Sequence, residues 1–288
     1  MKRSFLFLLA TLSVSACDMF KHPTEPSTPD TGNGSTMANY TAVGASDAIG
    51  YGSSNVCLPF AQCPDGLGYV QLIGKRLTAA GKTVTLVNLG LPGGVLSPGV
   101  QAIGNGLGRD ILSNFLDQEV PFVPKNSTLV TVFAGGNDVN TIGAAVEAGL
   151  GGTNPQAYVT TQTQNFGRDL RAMVDGIKER APQARVVVLN LPNLAGLPYA
   201  SGYSIDKRRW LQTIAVGFSA QINSLTSRGA LVIDLMCDSS FYNGALYSGD
   251  GFHPNDAGYA HLADVVYPVA SAGSSTAPRS SCGQMTLY

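Results

Sequence analysis

A chain of 288 residues that is 44% hydrophobic and only 13% charged can bury a sizeable core, which excludes disorder as its main state. Its formal net charge is -1, and no Lys/Arg cluster follows the first three residues. A nucleic-acid or polyanion surface therefore has no electrostatic support.

Residues 1–17 open on Lys2-Arg3, continue through an apolar run from Phe5 to Leu12 and end in small residues. That is the layout of a secretory signal, too short to span a bilayer. Its last residues, Val14-Ser15-Ala16-Cys17, resemble the lipobox of bacterial lipoproteins. The resemblance implies lipidation of Cys17, a membrane anchor at the mature N-terminus and a cell-envelope location, with inner versus outer membrane left open. Residues 18–37 carry Pro23, Pro26, Pro29, Gly32 and Gly34 among Ser and Thr and are expected to form a flexible tether.

One domain is expected over residues 38–288. Short runs rich in Val, Leu and Thr, at Tyr40 to Ala45, Thr83 to Leu89, Thr128 to Ala134, Arg185 to Leu191 and Ala230 to Leu235, have the length of buried strands. The clearest helical spacings are Val159, Phe166, Leu170, Met173 and Ile177, then Leu211, Ile214, Phe218, Ile222 and Leu225. A last helix is expected after Asn255. Alternation of strand and helix predicts an α/β fold, a five-stranded parallel sheet between helix layers.

Four cysteines besides Cys17, at 57, 63, 237 and 282, are an even number in an exported chain and predict two disulfides. Three connectivities are possible. Proximity favours Cys57 with Cys63, which leaves Cys237 to tie Cys282 and the C-terminal tail to the body. The absence of Cys-x-x-Cys and His-Glu-x-x-His gives no sign of a metal site.

In a parallel sheet the ligand crevice lies beyond the carboxyl ends of the strands. There the sequence places Gly44-Ala45-Ser46-Asp47, Asn88-Leu89-Gly90-Leu91-Pro92-Gly93, Gly135-Gly136-Asn137-Asp138 and Asp250-Gly251-Phe252-His253. Of three histidines, His22 falls in the tether and His261 in a helical pattern, which leaves His253 as the candidate base. A carboxylate three residues earlier, Asp250, can orient its ring. Ser46 is the nucleophile such a base could activate. The backbone N–H groups of Ser46 and Gly90 and the side-chain amide of Asn137 are the candidate donors to a tetrahedral oxyanion.

These four blocks, in this order, resemble the SGNH (GDSL-type) hydrolases, whose signatures are Ser, Gly, Asn and Asp-x-x-His. The resemblance covers about residues 40–270. It implies a flavodoxin-like α/β/α fold and an ester hydrolase with Ser46, His253 and Asp250 as triad, Ser46, Gly90 and Asn137 as oxyanion hole, and no cofactor. One departure is visible, since the family's Gly-Asp-Ser is Gly44-Ala45-Ser46 here, with Asp47 following. Expected substrates are small-molecule or lipid esters. Acylated carbohydrate is the alternative, and a non-catalytic envelope binding protein on the same fold is the reading from another class. Residues Leu91 to Gly108 and Val139 to Gly152, with Leu194, Leu197, Pro198, Tyr199 and Tyr203, are expected to form apolar loops over the acyl group.

Overall fold

The carboxyl ends of five parallel strands lie side by side, and that alignment is what assembles the site. In this computed structural model, which describes residues 36–288, the strands are β1 (Met37–Gly44), β2 (Thr83–Asn88), β3 (Leu129–Phe133), β4 (Arg185–Leu189) and β5 (Leu231–Ile233). Their order is β2-β1-β3-β4-β5. Strands are added outward on either side of β1, so the point where the winding reverses falls beside β1 and β3. Register aligns Gly44 with Phe133, Phe133 with Leu189 and Leu189 with Ile233. The four following loops consequently leave from one edge.

Burial explains why these runs are strands. Central β3, Leu-Val-Thr-Val-Phe, is buried at every position, whereas edge strand β2 turns Thr83 and Thr85 to solvent. A two-sided cover selects a continuous apolar run in the first case, and a half-exposed edge selects alternation in the second. The first strand begins at Met37, inside the stretch assigned above to the tether. The export signal, Cys17, His22 and the tether up to residue 35 lie outside the described residues.

Seven helices join or follow the strands among the described residues: α1 (Tyr69–Ala79), α2 (Pro98–Gly106), α3 (Phe115–Gln118), α4 (Gly136–Glu147), α5 (Pro155–Arg180), α6 (Ile205–Asn223) and α7 (Asp256–Ala272). Helices α1 and α7 pack against each other, and α2, α4, α5 and α6 form a second packed set. Phe166 of α5 stacks on Phe218 of α6 with ring centroids 3.9 Å apart, both fully buried. The cap of α7 is Asn255, whose side chain accepts the Gly258 N–H at 3.0 Å.

Two of the stretches expected as loops are largely helical. Residues 98–106 form α2 and residues 136–147 form α4, so the cover near the site is helical over much of the length where apolar loops were expected. Disulfides join Cys57 to Cys63 and Cys237 to Cys282, the pairing that proximity favoured. No helix among the described residues is long and apolar enough to cross a membrane.

Candidate active site

Ser46 stands two residues beyond β1, where the chain curls into a tight turn with Ala48 N–H donating to Ala45 O at 3.1 Å and Tyr51 N–H to Ser46 O at 3.0 Å. Its hydroxyl lies 2.8 Å from His253 Nε2. On the far side of the ring, His253 Nδ1 is 2.6 Å from Asp250 Oδ2. A proton on Nδ1 satisfies the carboxylate and leaves Nε2 to accept from the serine O–H, the tautomer a general base needs.

Neighbouring contacts fix both groups. Asp250 Oδ1 accepts the backbone N–H of Phe252 at 2.8 Å, that of His253 at 2.9 Å and the Ser248 hydroxyl at 2.9 Å. Partial burial raises the Asp250 pKa, but donation from the His253 ring and these other donors outweighs it and brings the value down to about 2. Tyr51 meets the His253 ring edge-on at 4.7 Å, and Phe252 does so at 4.9 Å.

The candidate oxyanion donors fare differently. No partner for the Ser46 N–H exists among the described residues, and Asn137 uses one amide hydrogen on Gly94 O at 2.9 Å, which leaves the other for the pocket. Gly90 does not fit its expected role. Its N–H already donates to Asn88 Oδ1 at 3.0 Å, and a Cβ there would stand 2.6 Å from that of Ala48. Glycine at 90 lets the Asn88 loop pack against the Ser46 turn. Just beyond it, Gly94 N–H closes a turn onto Leu91 O at 3.0 Å, with Gly93 at φ +75°. That is the type II geometry Pro-Gly favours, and it points the central N–H outward. The Gly93 N–H has no partner among the described residues. The Pro92-Gly93 pair was the available sequence signal for this turn.

Two buried carboxyls, neither assigned a part by the sequence reading, hold the loops together. Asp138, at the start of α4, accepts the Leu96 N–H at 3.0 Å. Burial pushes its pKa up to about 7 against the pull of that bond. Glu119 Oε2 accepts the Gly44 N–H at 2.8 Å, and burial raises its pKa well above the usual carboxylate range. Asn137 and Asp138 thus fix Gly94 and Leu96, while Glu119 fixes the end of the strand that carries Ser46.

Beside Asn137 opens a pocket whose large apolar side chains are Phe133, Leu191, Leu194, Leu197, Phe241 and Phe252. The expected apolar wall is therefore split. Leu194 and Leu197 line this pocket, but Tyr199 and Tyr203 line a neighbouring polar one with Arg109, Asn140, Glu147 and Lys207. Phe252 belongs to both. Behind Leu194, Asn193 donates to Gln212 Oε1 at 2.9 Å and to Gln284 O at 2.8 Å. The tail after Cys282 closes this bracket, with Leu287 N–H donating to Gln212 Oε1 at 2.8 Å. Among the described residues no group of three or more His, Cys, Asp or Glu side chains is arranged to hold a metal ion.

Comparison with known proteins bears on the fold and the family. No curated protein matches the chain in sequence. Among solved structures, the extracellular lipase of Streptomyces rimosus superposes with a TM-score of 0.54 at 20% identity, covering 81% of this chain and 97% of that one. Phospholipase A1 of Streptomyces albidoflavus gives 0.53 at 19% identity over 81% and 97%, and a mutant Geobacillus acetyl-xylooligosaccharide esterase gives 0.50 at 17% identity over 85% and 97%. At such identities the likeness is one of fold. The model of the GDSL-like lipase/acylhydrolase family matches residues 42–261, which run from the end of β1 into α7 and include every residue of the site. The chain belongs to the GDSL-like lipase/acylhydrolase family and is a hydrolase of ester bonds.

Proposed function

We propose that the protein is an exported serine esterase of short to medium acyl esters. The observation that carries the mechanism is the hydrogen-bonded series Ser46 Oγ, His253 Nε2, His253 Nδ1 and Asp250 Oδ2, at 2.8 and 2.6 Å. Ser46 attacks the ester carbonyl while His253 takes its proton, and the ionised Asp250 stabilises the imidazolium. The tetrahedral oxyanion is met by the N–H of Ser46, the free amide hydrogen of Asn137 and the N–H of Gly93, which takes the role first given to Gly90. His253 then protonates the leaving alcohol, and water activated by the same ring releases the acid. No step calls for a cofactor.

Substrate class follows from the pocket beside Asn137. Its apolar lining suits an alkyl acyl chain better than a sugar, which needs hydrogen-bond partners on most of its rim. A carbohydrate O-acetylesterase is the second reading, favoured by the adjoining polar pocket, where Tyr199, Tyr203, Asn140 and Lys207 offer a polar leaving group stacking faces and donors. Export is supported by the N-terminal layout and by two disulfides, which persist in oxidising compartments. Lipidation of Cys17 rests on Val14 to Cys17 alone.

A serine-directed fluorophosphonate should label the wild type and spare Ser46→Ala. Purified Ser46→Ala should lose almost all turnover while keeping its thermal midpoint. Near-wild-type hydrolysis by that variant would remove the mechanism. Globomycin-sensitive processing of the full-length chain in a bacterial host tests Cys17.

A further inference from the structure

We propose that Asp47 makes the acyl pocket selective for esters whose acyl group carries a hydroxyl on one of the first carbons beyond the carbonyl, an inference that rests on the ester-hydrolase reading. Asp47 follows Ser46 directly and lines the same pocket as Asn137, Gly94 and Phe252. It is the one ionisable side chain in that lining, among six large apolar side chains, prolines, alanine and glycines. Asp47 as a residue is half-buried with its carboxyl closely surrounded by protein, and no other residue donates a hydrogen bond to that carboxyl among the described residues. Only its own backbone N–H does so.

An acceptor in this position penalises a plain alkyl chain. Entry of the chain strips water from the carboxyl and returns no donor, and a site that leaves its own polar group unpaired discriminates against the ligand responsible. A hydroxyl on the acyl group restores the bond. Desolvation raises the Asp47 pKa, with His253 pulling it partly back and Asp250 adding to the rise. A hydroxyl can donate to either protonation state, whereas an ammonium needs the ionised one and would itself be stripped of water against Leu191, Leu194 and Phe241. An acyl carboxylate would meet like charge wherever Asp47 is ionised, and would itself be stripped of water in the apolar lining. Position along the chain is part of the proposal: Asp47 directly follows Ser46 and shares its pocket lining with Ala45 and Asn137, which assigns its carboxyl to the carbons nearest the acylated serine.

Matched 4-nitrophenyl esters of butyrate and 3-hydroxybutyrate test the proposal on the intact protein. The hydroxy ester should exceed the plain one in kcat/KM by about tenfold or more. Asp47→Leu should bring that ratio to one or below, and the near-isosteric Asp47→Asn should reduce it, which keeps the test alive if the leucine variant does not fold. A wild-type ratio near one overturns the proposal, as does a ratio that both variants leave unchanged. Equal loss on both esters in Asp47→Asn also overturns it, and would give Asp47 a part in supporting His253. Fluorophosphonate labelling of Ser46 separates the two levels: labelling with no hydroxyl preference sinks only the selectivity, whereas no labelling and no turnover of either ester sinks the esterase reading and this inference with it.

Discussion

Asn137 carries two loads on one amide, since one hydrogen holds Gly94 O and the other faces the pocket. Replacing it by Ala should lower kcat by about 10²- to 10³-fold with a smaller change in KM, because the free hydrogen acts on charge that exists only in the transition state. Steady-state kinetics on one chromogenic ester decide this, and an effect confined to KM would assign Asn137 to ground-state binding. Asp138, next along, is predicted to make stability depend on pH. Its folded pKa of about 7 stands above the ordinary aspartate value of 3.8, so between those values the native state holds a proton that the unfolded chain has lost. Stability must then fall as pH rises through that window and level off above it. Asp138→Asn keeps an acceptor for Leu96 N–H and loses the titration, so its advantage over the wild type in urea midpoint should grow from about pH 4 to pH 7. That Ser46, His253 and Asp250 would be brought together was legible because the proposed chemistry needs particular side chains. Which glycine N–H near them is free was not, because a backbone N–H bears no residue label, and only the turn shows that Gly90 N–H is used on Asn88.

At the scale of elements, strands and long helices were legible where burial selects apolar residues at a fixed period, as in β3 and α5. Helices α2 and α4 were not. Gly99, Gly104 and Gly106 weaken the helical signal of α2, and Gly143 weakens that of α4. Packing explains two of these glycines: a Cβ at 104 would stand 2.2 Å from Ile111 Cδ1, and one at 143 would stand 3.2 Å from Leu211 Cδ2. Position 106 meets nothing within 4 Å. Helix propensity alone would favour alanine at both 104 and 106, but the contacts give opposite signs. Gly106→Ala should stabilise by up to ~1 kcal/mol, and Gly104→Ala should destabilise by ~1–3 kcal/mol through overpacking. Chemical denaturation of the two variants side by side measures this difference.

For the molecule as a whole, the α/β class followed from alternation, yet the strand order came only with the structure, because no residue pattern states which strand lies beside which. The same holds for the pocket. Leu194, Leu197, Tyr199 and Tyr203 are close in sequence, but the turn at residues 194–200 sends the leucines to the apolar pocket and the tyrosines to the polar one. If the apolar pocket takes the acyl chain, kcat/KM should rise from acetyl to butyryl or hexanoyl esters by up to about 1 kcal/mol per buried methylene. Leu197→Asp should flatten that trend. A strict acetyl preference together with good rates on acetylated polysaccharide would favour the second reading.

The bracket behind Leu194 gives the Cys237–Cys282 bond a bearing on assay conditions. That disulfide holds the tail whose Gln284 and Leu287 pin Asn193 and Gln212, and those two side chains stand behind the pocket wall, away from Ser46 and His253. Dithiothreitol should accordingly alter the acyl-length profile at reductant levels that leave fluorophosphonate labelling of Ser46 intact. Substrate preferences recorded in reducing and non-reducing buffers would then describe two forms of the enzyme, distinguished by redox state.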